Sequence, residues 1–168
     1  MERHPIATYL VALSITDYSR IMQYWEYEPG ENMPIEQYYF AGVPPSSMSG
    51  ATYYMVNYTI PSLDALSYYF GRYPFYDEKY GHTQMVGGGA MEHQTSTSIG
   101  HNFSTEYVIA HELGHHWAGD NVTCDNFHHI WLNEGYASYT EVLYFEYNYG
   151  WSYGYSWLMS QELSLIHI

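Results

Sequence analysis

One stretch of this chain can do chemistry by its spacing alone. His111-Glu112-Leu113-Gly114-His115, inside V-I-A-H-E-L-G-H-H-W, is an H-E-x-x-H pattern. On a helix, positions i and i+4 share a face, about one turn apart. Two imidazoles so placed can hold one metal ion. Glu112 follows the first ligand, rotated by roughly 100°, where it reaches a water beside the metal rather than the metal itself. Zinc fits this donor set best, because it takes neutral imidazole and carboxylate ligands in a tetrahedron. A third ligand is needed, and Glu134 in W-L-N-E-G-Y-A-S-Y-T-E is the candidate. Residues 116 to 133 lie between it and His115. That length lets the chain leave one helix, cross a loop and start another. Two His and one Glu leave a fourth position for water, as a catalytic zinc site requires.

The elements that must position these residues can be read on either side. Ser104 is placed to cap the first helix, with Glu106 in its first turn. The helix is expected to run to about Ala118 and to stop at Gly119. Ile109, Leu113 and Trp117 form its apolar stripe, on a face that the two His do not use. A loop should cover 120–130. A second helix is expected from Leu132 or Asn133 to Tyr147, ended by Gly150. Glu134 and Glu141 are seven apart on it and share a face, so Glu141 can orient a ligand imidazole. A third helix is expected over 153–163. His101, His116, His128 and His129 read as structural or surface residues.

Upstream, the pattern is mixed. Residues 6–18 are β-branched and aromatic with partial alternation, which predicts one strand or two short ones. Residues 19–34 carry Pro29, Gly30, Pro34 and several acids and read as loop. A strand is expected over Ile35–Phe40. A-G-V-P-P-S-S-M-S-G, residues 41–50, is the best linker in the chain. Residues 51–60 are ambiguous between strand and helix start. After Pro61-Ser62 an amphipathic helix is expected, marked by Leu63, Leu66, Tyr69 and Phe70 and ended by Gly71. A structured connection should span 72–81. A short strand should follow over 82–86, then a Gly-rich segment and an edge-type strand within 87–100.

Composition narrows the function classes. A chain of 168 residues can form one domain or parts of two. Only four residues are Lys or Arg, and the formal net charge is −14, which excludes a nucleic-acid surface. The same charge can attract cationic substrates such as a peptide amine. The single cysteine, Cys124, permits no internal disulfide and no Cys-based metal site. No stretch has the length of a membrane-spanning helix. The 22 tyrosines have no physical explanation in the sequence.

A second motif lies before the first. Gly89-Ala90-Met91-Glu92-His93 precedes H-E-x-x-H, which precedes Asn133-Glu134-Gly135. In this order the motifs resemble those of the aminopeptidase N family, peptidase family M1 among the gluzincins. His93 stands where that family usually has Asn. Tyr73-Pro74-Phe75, Asp77-Glu78-Lys79-Tyr80 and I-W-L-N-E-G-Y-A-S-Y-T-E are similar to the family as well. The resemblance therefore covers nearly the whole chain.

It implies an α+β fold: the end of an all-β amino-terminal domain (1–48), then the front half of a thermolysin-like, mainly helical zinc catalytic domain (49–168). It implies one Zn2+, held by His111, His115 and Glu134, with Glu112 as general base and then acid. It implies peptide substrates with a free amino terminus. Glu92 would bind their α-amine, and Gly89, Ala90 and Met91 would line the substrate. Asn133 and Glu141 would support the ligands. The family's transition-state tyrosine is expected beyond residue 168, and the ending Q-E-L-S-L-I-H-I reads as a truncated one. The alternatives to a zinc aminopeptidase are a zinc-binding but inactive fragment or pseudo-enzyme, and a zinc endopeptidase.

Overall fold

A computed structural model describes residues 3–42, 50–102 and 105–165, with the backbone alone for 162–165. The architecture is α+β. A five-stranded mixed sheet carries helices against one face, in the order β1 (Tyr18–Glu28), β2 (Glu31–Phe40), α1 (Ala51–Phe70), β3 (Tyr80–Met85), β4 (Ala90–Met91), β5 (Thr97–Gly100), α2 (Glu106–Gly114), α3 (Ile130–Tyr149) and α4 (Trp151–Leu165). The strand order is β1-β2-β3-β5-β4. The β1–β2 and β4–β5 pairs are antiparallel; β2–β3 and β3–β5 are parallel.

The amino-terminal part differs from expectation. Residues 6–18 form a single 3-10 turn at Thr8–Leu10 and otherwise irregular chain, with β1 starting only at Tyr18. The stretch 19–34, expected as loop, is mostly strand. Its Pro29-Gly30 pair is a two-residue hairpin turn, with Gly30 at φ +84°. Pro34 is tolerated because the ladder to β3 begins at Ile35, so no β3 hydrogen bond is lost there. Met33, Ile35, Gln37 and Tyr39 then alternate inward along β2.

The break expected at Pro61 is also absent. α1 is one helix from Ala51 to Phe70 with Pro61 inside it. Pro61 removes the bond to the Asn57 carbonyl. The buried positions Ala51, Met55, Thr59, Leu63 and Leu66 nevertheless keep a helical period straight through it. Tertiary burial of that stripe outweighs one missing bond.

The core joins sheet to helices. Trp25, Met33 and Ile35 pack with Leu63, Leu66, Tyr73, Phe75, Tyr80, Leu113 and Trp117. Trp25 donates Nε1–H to the Asp64 carboxylate at 2.8 Å, tying β1 to α1. The strands before residue 48 thus share a sheet and a core with the elements after it. Most of the expected linker (43–49) and the expected cap Ser104 lie outside the described residues.

Gly114 sets the spacing of the two helices that matter most. A Cβ there would lie 2.8 Å from the Thr140 Cγ2 on α3 and still closer to its hydroxyl. Only a residue without a side chain lets α2 and α3 approach this closely. Thr140 uses the same proximity to donate to the Ala110 carbonyl at 3.1 Å. Gly114→Val is expected to destabilise the chain by about 1–3 kcal/mol. It should also weaken zinc binding, since it pushes Glu134 and Glu141 away from the His pair. Thermal melts with and without zinc check both effects.

Candidate metal centre

α2 ends at Gly114, earlier than its sequence suggests. A wide turn over His116–Asp120 follows, with Asp120 N–H bonding the His115 carbonyl at 2.9 Å and Asn121 N–H the His116 carbonyl at 3.3 Å. Ala118 (φ −130°, ψ 91°) and Gly119 leave helical geometry inside the turn, so the chain kinks here. Gly119, at φ +155°, closes the turn. Thr105 occupies the cap position of α2 without a side-chain bond. Glu106 instead accepts from Tyr144 at 2.8 Å and Tyr149 at 2.7 Å, fastening α2 to the end of α3.

Across the α2–α3 seam, His111, His115 and Glu134 bring one donor atom each to within 4.8 Å of one another. Glu134 Oε2 lies 3.5 Å from His111 Nε2 and 3.6 Å from His115 Nε2. Zinc bonds of about 2.0–2.1 Å in a tetrahedron place adjacent ligand atoms about 3.3–3.4 Å apart. The observed separations are close to that edge. The donor set therefore fits the ion that the sequence implies, on geometry and on ligand chemistry.

The surroundings of the His pair favour the same ion. His111 Nδ1 is 2.8 Å from Glu141 Oε1, which leaves Nε2 turned toward Glu134. A carboxylate on the far nitrogen fixes the ring and makes it a stronger donor. Trp157 from α4 donates Nε1–H to the other Glu141 oxygen at 2.9 Å and holds that carboxylate in place. Burial disfavours a charged His111, but Glu134 and Glu141 outweigh it and push His111 up to about 10. Bonds to His111 and His115 hold Glu134 well below the usual carboxylate range. Both shifts have one cause, the close approach of these carboxylates to the His pair, which favours positive charge between them.

Asn133, expected to support a ligand, is buried beside His115. The small space next to Gly119 is bordered by His115 Nδ1 and Asn133 Nδ2, and neither atom has a hydrogen-bond partner. The two residues are brought together without being bonded.

Glu112 is buried, and burial pushes its carboxyl up to about 7, with Glu92 and Glu134 adding to the rise and the two His opposing it. Glu92, 5% exposed, reaches the same place: Glu92, Glu112 and His115 also present donor atoms within 4.8 Å of one another. Of the two trios, the His111–His115–Glu134 set is the better zinc site. It offers two imidazoles, whereas the other offers two carboxylates, one of them raised toward neutrality. β4, carrying Ala90 and Met91, is the outer strand of the sheet, as the edge expected within 87–100 requires. Gly89 accepts from Gly100 N–H at 2.8 Å, so the segment is pinned on one side.

His128 and His129 lie exposed on a 3-10 turn, and His101 is also exposed. His116 is fully buried, with Nδ1 2.9 Å from the Tyr73 hydroxyl. None of the four joins the cluster.

Asp120 is a residue that sequence reasoning placed in a loop. It is buried, both its carboxylate oxygens lack a hydrogen-bond partner, and His116 Nε2 is 3.7 Å away. Burial, with the Glu92 and Glu112 charges, pushes Asp120 up to about 9. A raised carboxyl means that the folded chain holds a proton the unfolded chain has released. Stability from this group is therefore full below pH about 4 and falls as pH rises toward 9, by up to about 1.4 kcal/mol per unit. Asp120→Asn is expected to flatten this slope, raising the melting temperature at pH 8 more than at pH 5.

What these features define is an α+β chain whose H-E-x-x-H helix faces a carboxylate, in a cluster that could hold a metal ion. Residues 48–166 match the Peptidase family M1 domain. The chain is 32% identical to the M1 zinc metallopeptidase from Deinococcus radiodurans, with a TM-score of 0.72 over 86% of this chain and 32% of that one. A mutant of that enzyme bound to a Tyr-Ser-Ala substrate matches at 31% identity and a TM-score of 0.71, with the same coverage. Legionella pneumophila aminopeptidase A in complex with aspartic acid shares the fold, at 21% identity and a TM-score of 0.65 over 79% of this chain and 17% of that one. A comparison with curated proteins gave no match. The chain belongs to peptidase family M1. It spans about a third of the length of the Deinococcus enzyme. Its architecture is that of the end of an amino-terminal β domain and the front half of a mainly helical catalytic domain.

Proposed function

We propose that this chain carries the zinc-binding part of an aminopeptidase, one that hydrolyses the first peptide bond of substrates with a free amino terminus. The observation that carries this reading is the convergence of His111, His115 and Glu134, with two buried carboxylates, Glu112 and Glu92, meeting the same His115. The domain boundary near residue 48 is one of sequence, since β1 and β2 share a sheet and a core with the elements after it.

Bound by His111, His115 and Glu134, one Zn2+ would supply a Lewis acid for the carbonyl and for the attacking water. Glu112 takes the proton of that water and delivers it to the leaving nitrogen. A carboxyl raised toward neutrality suits both steps, because it gains and loses a proton near the working pH. Glu92 receives the substrate's α-ammonium in a charge-assisted contact. Its burial makes an unpaired charge costly there, so the site selects a cation. The Gly89–Ala90 backbone and Met91 lay the substrate along the free edge of β4, with little side chain in the way. Glu141 keeps the His111 imidazole in place, and Asn133 packs beside His115.

The test compares a tripeptide with its amino-acetylated form. Stepwise release from the amino end, seen by mass spectrometry, with the acetylated peptide left intact, supports the proposal. Internal cleavage of the acetylated peptide would assign an endopeptidase. Zinc binding without cleavage of either would leave a binding domain.

A further inference from the structure

β1 is a long and open edge of the sheet. In the strand order β1-β2-β3-β5-β4 it has β2 on one side and, among the described residues, no strand on the other. Its 11 residues therefore present a row of unpaired N–H and C=O groups, a template for another strand. Native chains blunt such edges with Lys, Pro or a bulge. Y-S-R-I-M-Q-Y-W-E-Y-E has neither Lys nor Pro, and its one irregularity lies at the hairpin end, between Glu26 and Glu28.

The two faces of β1 differ. Odd positions turn toward the helices: Trp25 is buried, and Gln23 donates to the Val56 carbonyl of α1 at 2.9 Å. Even positions stand on the outer face, where Arg20, Met22, Tyr24 and Glu26 are all exposed. Tyr24 is 62% exposed in the middle of the strand.

This outer row is self-complementary. Opposed residues of an antiparallel pair share a face. A two-fold axis through Gln23, perpendicular to the sheet, sets Met22 against Tyr24 of a second copy and Arg20 against Glu26 of that copy. Each contact occurs twice, so an apolar centre is flanked by opposite charges at both ends. The groups needed are within reach. Arg20 meets Glu36 of its own chain at 3.4 Å with half its side chain still exposed, and a guanidinium has donors for two carboxylates. Glu26 Oε1 accepts from Gly30 N–H at 2.8 Å, which leaves Oε2 for the guanidinium. The net charge of −14 opposes association at low salt, but at about 0.15 M it is screened beyond about 8 Å, and the strand contacts are closer than that.

We infer that β1 is a homodimer edge, through which two copies of this chain pair antiparallel about Gln23 into one continuous sheet. The zinc cluster sits on the α2–α3 seam rather than on β1, so this pairing stands or falls without the proposed peptidase activity.

Sedimentation velocity of the full chain, at about 0.15 M salt and from about 1 μM to about 1 mM, reads the equilibrium. A concentration-dependent shift from monomer to dimer is expected. Arg20→Glu and Glu26→Arg each set like charges opposite one another at both ends and should weaken the dimer about tenfold or more. The double variant restores opposite charges and should return dimerisation to near the parent level. Cysteine pairing in a Cys124→Ser background reads the register without touching these charges. Mixed Met22→Cys and Tyr24→Cys chains should oxidise to a heterodimer faster than either chain pairs with itself. Opposed Cβ atoms lie about 5 Å apart and the self-pairs about 7–8 Å. A parent chain that stays monomeric across the range would overturn the proposal. So would a dimer that the single reversals leave unchanged or the double variant does not restore, or cysteine chains with no preference for the heterodimer.

Discussion

Replacing Glu112 with Gln is expected to lower turnover by about 10²–10⁴-fold, the usual contribution of a positioned general base. The change conserves size and removes only the ability to take a proton. Because Glu112 is not one of the three convergent donors His111, His115 and Glu134, zinc content should be unchanged. Burial already holds the Glu112 carboxyl near neutrality, so the neutral amide should be accepted without loss of fold. Steady-state rates paired with zinc analysis of the same sample check the two halves together. Undiminished turnover would remove Glu112 from the chemistry. Loss of zinc along with turnover would give it a role in holding the site.

The second large effect is expected at Glu92. Glu92→Gln should lower kcat/KM for a substrate with a free amine by about 10–150-fold, the range for a hydrogen bond to a charged group. Amino-acetylated substrates should be handled no worse than before, so the preference for a free amine shrinks. The same substitution removes one of two close buried carboxylates, so the melting temperature should hold or rise. A fall in activity with the amine preference intact would place Glu92 elsewhere in the mechanism. The anionic character of the chain, −14 in formal charge, acts in the same direction by attracting cationic amines.

The site was legible where a helical period governs it. His111 and His115 are one turn apart, and Glu134 and Glu141 two turns apart, so their shared faces follow from spacing alone. The structure places Glu141 against His111 at 2.8 Å, as that spacing allows. What spacing could not supply was the seam between α2 and α3. It depends on a close approach at Gly114 that only Thr140, 26 positions on, reveals. Asp120 was missed for a related reason. An acid after glycine reads as exposed loop, and only the kink at Ala118 and Gly119 folds it back into the interior.

The upstream half was less legible because its local signals conflict. Pro29, Gly30 and Pro34 argue for loop, yet the hairpin confines the first two to its turn and leaves Pro34 clear of β3. Pro61 argues for a helix boundary, yet the buried stripe of α1 continues across it. In both places long-range burial decides against the local rule. Residues 6–18 fail in the other direction. Their β-branched and aromatic residues suit a strand, but β1 begins only at Tyr18, and most of the segment instead crosses the outer face of the sheet.

The central claim, that this chain assembles a three-residue zinc site, is tested most directly by metal stoichiometry after dialysis against metal-free buffer. The account predicts about one zinc per chain, and its loss in His115→Ala in a chain that otherwise stays folded. A well-folded parent chain that retains no zinc would contradict it, because His111, His115 and Glu134 would then converge without binding the ion their geometry fits.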